Sequence, residues 1–423
     1  MKLTIETVTV KDIVLDKKSY LENGNLHLNL EELEEMGADA RFASLKVEIA
    51  RPGESCRISW VGDVIQPRIK TDSPDDTFPG VLGNMKRAGS GRTTALEGVA
   101  VVEVWGMQAP MALILDMSGV GAEYSPFSET LNVVVVAEPA PMVDNIEYAR
   151  ALKNASLTIG KYLASLAVGL PPDKEEVYEL DSEPQVLKDA DGNELPRFVY
   201  IFQVFSTNAL VEPLYYGDNC RGMLPTPVHP NEILDGALLY QNYDQILNGE
   251  SSYVFCNHPV IKELYDRHGK DINFAGVILK IAPFEQTSKE RFAMIAATQA
   301  KYNYNADGVI LTKEGGGHPM LDMALTCEQC EELGIKTVLM ITEFITIGGG
   351  RNDTLIFNTE KADAIVSSGI AVEVEYPSVD RLIGRHNIPG TTDDMQGAFT
   401  DSCRQIRGSV SQVGNTYMMS VEQ

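Results

Sequence analysis

A chain of 423 residues is long for one compact domain, and at roughly 150 residues per domain it divides into two or three units. Hydrophobic residues make up 44% and charged residues 22%, a balance that excludes a disordered chain. Sixty acidic residues against 35 basic ones leave a net charge of −25, a field that repels phosphate backbones and anionic lipid and so excludes nucleic acid and membrane surfaces as partners.

The first ~140 residues alternate in the β manner and are punctuated by turn residues. Leu3–Val10 alternates, Glu22-Asn23-Gly24 turns, and Asn25–Leu30 alternates again. Glu31–Met36 is a short acidic helix. Leu45–Ala50 and Cys56–Trp60 are strands joined by Arg51-Pro52-Gly53-Glu54, where Pro fixes φ and Gly allows φ > 0. Residues 71–94, rich in Gly, Ser, Thr, Asp and Pro, read as loop, and Val99–Val104, Ala112–Leu115 and Val133–Ala137 as strands. Asn145–Val168 has apolar residues near the 3.6-residue period and stops at Gly169 and Pro171-Pro172. Residues 171–197 read as an acidic surface connection, Phe198–Phe205 as a buried strand, and the stretch to about 258 as irregular and Tyr-rich.

From residue 259 strands and helices alternate: Phe274–Ile281, Ser288–Tyr302, Gly308–Thr312, His318–Leu333, Thr337–Thr342 and Ala364–Ser367. That order predicts βαβ crossovers and a mainly parallel sheet. The expected fold class is α/β, with a β-rich α+β first half (residues 1–242) and a Rossmann-like parallel α/β second half (243–423). No apolar run approaches the ~18 residues of a membrane span, the opening MKLTIETVTVKD lacks a signal-peptide core, and six cysteines are too few for a disulfide framework. A cytoplasmic protein is expected.

Two glycine-rich stretches follow predicted strands. Glu314-Gly315-Gly316-Gly317-His318-Pro319 precedes a helix, and Gly348-Gly349-Gly350-Arg351 lies beyond the strand at 337–342. Open α/β sheets bind ligands beyond the carboxyl ends of their strands, where helix-start N–H groups hold anions. Tight turns alone would also account for the glycines. Neither matches a nucleotide-binding pattern. The expected substrate contacts are Gly315, Gly316, Gly317 and His318 with Arg92 (from Gly89-Ser90-Gly91-Arg92) and Arg351, the arginines and loop amides holding a carboxylate. Cys327 and Cys330 form a lone CxxC without a second pair, which reads as buried cysteines, and six scattered histidines make no metal motif, so no metal is expected.

Several long blocks carry a resemblance. They are ARPGESCR (50–57), DVIQPRIK (63–70), AGSGRTTAL (88–96), DMSG (116–119), SPFSETLN (125–132), EILDGA (232–237) and NHPVIKELYDRHGKDINF (257–274), then the loop 314–319 and GIKTV (334–338). In this order they resemble the precursor of the α and β subunits of component B of glycine, sarcosine and betaine reductases, across nearly the whole chain. The D-proline reductase precursor shares the general plan. The resemblance implies a precursor that cuts itself between an Asn and a Cys, leaving an N-terminal pyruvoyl group. That ketone would form a Schiff base with an amino-acid substrate, and a thiol or selenol on a partner subunit would then expel the amine.

Carried over without gaps, the family's Asn-Cys falls on Asn242-Tyr243. A phenol cannot start that chemistry, so an uncleaved chain without a pyruvoyl cofactor is expected. Asn219-Cys220 is a rival processing point, upstream of the matching position. Tyr215, Tyr216, Tyr240, Tyr243, Tyr253 and Phe255 surround this region in sequence. They read either as packing for an irregular segment or as an aromatic cage for a quaternary ammonium. The resemblance thus implies a substrate-binding subunit of a hetero-oligomeric reductase. Its partner would be a large thiol- or selenol-bearing subunit and its substrate a small amine, betaine or related compound. The alternative is a non-catalytic scaffold or regulatory paralogue.

Overall fold

Alternation in Lys2–Thr9 buries Leu3 and Ile5, and this strand becomes the second of four in a mixed sheet. The order is Lys174–Glu179, Lys2–Thr9, Gly91–Glu97, Arg68–Lys70, with the middle pair parallel. A second sheet runs Phe42–Ala50, Leu131–Pro139, Val99–Val104, Val61–Ile65. The helix Asn145–Ser165 packs against strands of both sheets, capped by Asp144, whose carboxylate accepts from the Ile146 and Glu147 amides. The structure, a computed structural model, describes residues 1–107, 113–181, 185–206, 213–241, 250–315, 317–345, 351–352, 359–387 and 394–416.

Lys174–Glu179, expected as a surface connection, is an edge strand antiparallel to the N-terminal one. Its charged outward face, which guards a sheet edge against further pairing, hides the alternation, since only Tyr178 in it is buried. The loop expected to reach residue 94 ends sooner, because Gly91–Glu97 is drawn into the sheet by parallel pairing with Leu3–Thr9.

The second half matches its alternating pattern closely. Strands Arg197–Val204, Asn273–Ile281, Gly308–Lys313, Lys336–Ile345 and Ala364–Ala371 are mutually parallel, in the spatial order 2-1-3-4-5. Thr226–Val228 adds an antiparallel edge. Helices Gln286–Tyr302 and His318–Glu332 pack together on one face, as right-handed crossovers in one direction require. The split of side chains follows the pleat. Val199 and Ile201 join Ala296, Ala297, Met323, Cys327 and Cys330 in one core, whereas Tyr200, Phe202 and Val204 join the core that runs through the first half. The CxxC is therefore packing: both thiols are buried and free, and burial pushes Cys327 up to about 11.

Strands cross position 242 in both directions. Arg197–Val204 is central to the second-half sheet, and Arg381–Ile383 returns to pair in parallel with Cys56–Ser59 of the first half. That return is anchored by Arg57, wholly buried, which makes two bonds to Asp116 (2.5 and 2.9 Å) and donates to the carbonyls of Pro377, Met395 and Gly397. No described helix is long and apolar enough to cross a membrane.

Candidate functional site

In a 2-1-3-4-5 sheet the first and third strands run their crossovers to opposite sides, which opens a crevice beyond their carboxyl ends. Here those strands are Arg197–Val204 and Gly308–Lys313, and buried polar residues gather past their ends. The Glu314 amide donates to Gln203 O, and the Glu314 carboxylate accepts from the amides of Phe205 (3.0 Å) and Glu250 (2.9 Å). Glu250 is the first described residue after the 242–249 segment, and its own carboxylate accepts from Ser411 Oγ (3.0 Å) and the Gln412 amide (2.8 Å). Gln412 Oε1 in turn accepts from Lys313 Nζ at 2.9 Å. Arg407 lies over the Tyr240 ring at 4.3 Å, donates to Glu250 O, and comes within 3.7 Å of Asp63. Asp63 continues the network to Lys153 (2.5 Å) and Ser252 (2.5 Å).

A second group lies on the helix side. Lys280 and Lys289 share the buried Asp322, and Gln203 bridges Lys280 Nζ to the Pro319 carbonyl. His318 Nδ1 accepts from Lys289 (3.0 Å), so its proton sits on Nε2, an atom that is buried without a partner among the described residues. Burial, reinforced by Lys289, lowers His318 to about 4. Gly315 must be glycine: φ is +77°, and a Cβ would stand 2.6 Å from the Phe205 ring.

Beside this edge, past Ser206 and Ile281, is a cavity of about 320 Å³ lined by Arg221, Arg291, Ser288, Glu285 and Phe284 among others. It faces the first turn of the helix Gln286–Tyr302. Two guanidinium groups and a helix start suit a small carboxylate, with Glu285 as an opposing charge.

Burial raises both Glu250 and Glu314 to about 7, against amide and hydroxyl donors that favour the charged forms. Unfolded, such carboxyls titrate near 4.5. The folded state therefore holds more protons on these two carboxyls between these values, and the stability they contribute falls as pH rises from 4.5 through 7, against the opposite slope of the buried His258 and His318, which burial lowers to about 3 and about 4. Each carboxyl accounts for roughly 3 kcal/mol of that fall. Glu314→Gln is expected to remove its share, so that between about pH 5 and about pH 8 the variant gains about 3 kcal/mol relative to wild type, read from urea midpoints. Parallel curves for variant and wild type would count against the assignment.

Of the expected contacts, Gly315, Gly317 and His318 sit together at the crevice, while Gly316 lies outside the described residues. Arg351 pairs its backbone with Ile345, and its side chain is outside them too. Arg92 lies elsewhere, on the four-stranded first sheet, where Glu6 and Glu175 occupy its guanidinium; no hydrogen bond or ion pair among the described residues joins it to the loop. Asn242 and Tyr243 fall outside the described residues.

The remaining tyrosines each have partners of their own. Tyr215 and Tyr216 both donate to Glu232 (2.9 and 2.6 Å), Tyr253 packs on Phe127, and Tyr240 already carries the cation of Arg407 on its face. Cys220 is buried and its amide donates to Pro213 O. Sequence reasoning missed Lys313, Glu250, Arg221, Arg291 and Arg407, singletons without a spacing pattern. Among the described residues no group of three or more His, Cys, Asp or Glu could hold a metal ion.

A doubly wound sheet with a polar crevice at its switch point, embedded in a larger α/β chain, places this protein in the class of folds that take small ligands at that crevice. The comparisons with known proteins give its family. The chain belongs to the glycine/sarcosine/betaine reductase component B family, whose description is "Glycine/sarcosine/betaine reductase component B subunits" and whose pattern matches residues 1–423. It is 35% identical, over 98% of both chains, to a protein of Acetoanaerobium sticklandii named glycine reductase complex component B subunits alpha and beta. The sarcosine reductase complex component B subunit alpha of Peptoclostridium acidaminophilum is 35% identical over 91% of this chain and 89% of its own. The betaine reductase complex component B subunit alpha of the same organism is 34% identical over 91% and 88%. No solved structure matches the chain.

Proposed function

We propose that this chain is the substrate-binding subunit of a reductase complex of the glycine, sarcosine and betaine type. It presents a carboxymethyl amine to a thiol or selenol on a large partner subunit and works in the cytoplasm as one uncleaved chain without a pyruvoyl group. The reading is supported above all by the cavity at the sheet's carboxyl edge, where Arg221, Arg291 and a helix start suit a substrate carboxylate. Relatives are named as component B subunits of glycine, sarcosine and betaine reductase complexes, and each of those three compounds carries such a carboxylate.

The pyruvoyl group does not fit this chain. Tyr243 stands where the family resemblance puts the cysteine, and its Cβ bears a ring carbon instead of a sulfur that could be eliminated. A quaternary ammonium substrate does not need the ketone. A partner thiolate can attack the methylene carbon as the C–N electron pair leaves with a neutral tertiary amine, and no proton is required. The tyrosine also favours a second reading, a scaffold that keeps the partner surface and has lost turnover.

Co-expression with a thiol- or selenol-bearing partner subunit tests both. The expected result is carboxymethylation of the partner with release of amine from betaine, sarcosine or glycine. Arg291→Gln should raise KM about tenfold or more with kcat held, as loss of a charged hydrogen bond worth about 1.5–3 kcal/mol requires. A stable complex that turns over none of the three would favour the scaffold, and an unchanged KM would move the carboxylate elsewhere.

A further inference from the structure

Five lysines are buried among the described residues, and four of them face carboxylates. Lys70 meets Asp235 at 2.7 Å, Lys153 meets Asp63 and Glu103, and Lys280 and Lys289 share Asp322. Lys313 is fully buried and makes no ion pair with any described residue. Its Nζ donates to two neutral acceptors, Gly315 O at 2.6 Å and Gln412 Oε1 at 2.9 Å.

An ammonium carries three donors and a charge that burial penalises heavily without a counter-ion. A neutral primary amine carries two N–H donors and one lone pair. Two carbonyl acceptors satisfy both donors and leave the lone pair over. Burial acts the same way, lowering the amine to about 7 with no opposing charge to restore it. The position is that of a reactive group, at the carboxyl end of the third strand beside the Gly315 turn, where an open α/β sheet takes its ligands.

We propose that Lys313 is an imine-forming amine whose ligand is a small carbonyl acid, an aldehyde or ketone carrying a carboxylate. The Nζ lone pair adds to the carbonyl carbon, the C–O π pair moves to oxygen, and the adduct loses water. The amine's two protons leave with the carbonyl oxygen, so one carbonyl acid and one lysine become one imine and one water, and no oxidant is involved. Glu250 holds the same glutamine, its carboxylate accepting from the Gln412 backbone amide while Gln412 Oε1 accepts from the amine. This inference is independent of the partner subunit and of turnover, since the imine forms on this chain alone.

The test is brief treatment of the full chain with glyoxylate and sodium cyanoborohydride near neutral pH, followed by peptide mapping. At pH 7 an amine of pKa about 7 has on the order of a thousandfold more neutral form than a surface lysine, an advantage partly offset by its lower basicity. Lys313 is expected to gain a carboxymethyl group about tenfold or more ahead of the exposed Lys86 and Lys336, with the gap closing toward about pH 10. Lys280, buried with its carboxylate, should stay unmodified. Lys313→Met should lose the fast site alone. Labelling of surface lysines with Lys313 untouched, or equal rates at all of them, would overturn the proposal on the wild-type chain, whatever the variant's folding.

Discussion

Denaturing electrophoresis of the purified chain should give one species of 46.4 kDa, with no mass added by a hydrazide probe. The expectation rests on atoms. Backbone scission of the family type needs a nucleophile on Cβ of residue 243, close enough to attack the carbonyl of Asn242, and then a heteroatom on that Cβ to eliminate. Tyrosine supplies neither, because its oxygen lies at the far side of an aromatic ring. The converse substitution carries the larger effect. Tyr243→Cys restores the missing sulfur, and fragments of 242 and 181 residues are expected, the shorter one reactive to hydrazide. Two fragments or a hydrazide adduct from the wild-type chain would refute the reading. A variant that stays whole would mean that the surroundings of residue 243 have diverged as well.

Arg57→Met should remove about 3–5 kcal/mol of stability, among the largest losses a single substitution can cause. Asp116 and Arg57 are wholly buried, and burial raises the Asp116 carboxyl while Arg57 opposes the shift. Without the guanidinium, a carboxylate is left in the core with its principal partner gone, and the carbonyls of Pro377, Met395 and Gly397 lose a donor. Stacking over Phe399 at 4.8 Å is lost as well. Urea unfolding would measure the cost, and limited proteolysis should find residues 377–387 newly open. Arg57→Met combined with Asp116→Leu should recover part of the loss, because it removes the stranded charge with its partner. A single variant within about 1 kcal/mol of wild type would show that the pair carries no such weight.

The second half was legible because buried parallel strands and their helices announce themselves locally: residues 308–312 were expected and Gly308–Lys313 found, and His318–Leu333 against His318–Glu332. The Gly315 turn followed from the same strand–turn–helix pattern. The polar crevice did not, since its members meet only in space. Glu250 bonds a residue 64 positions away, and Arg57 one 338 positions away. Arg92 misled because glycines beside an arginine resemble an anion loop. Parallel pairing instead sets it opposite Thr4, where Glu6 takes the charge. The tyrosines were grouped by sequence proximity, whereas their hydroxyls and faces are claimed separately by Glu232, Arg407 and Phe127.

The interleaving of strands across residue 242 bears on how a broken backbone would behave. A nick anywhere between Gln241 and Glu250 would yield two pieces, each owning a strand that the other's sheet needs: Arg197–Val204 on one side, Arg381–Ile383 on the other. Neither piece could depart without tearing its neighbour's hydrogen-bonded ladder. Such a particle would keep its native mass and hydrodynamic size while covalently severed, so gel filtration is blind to the event and only a denaturant reveals it.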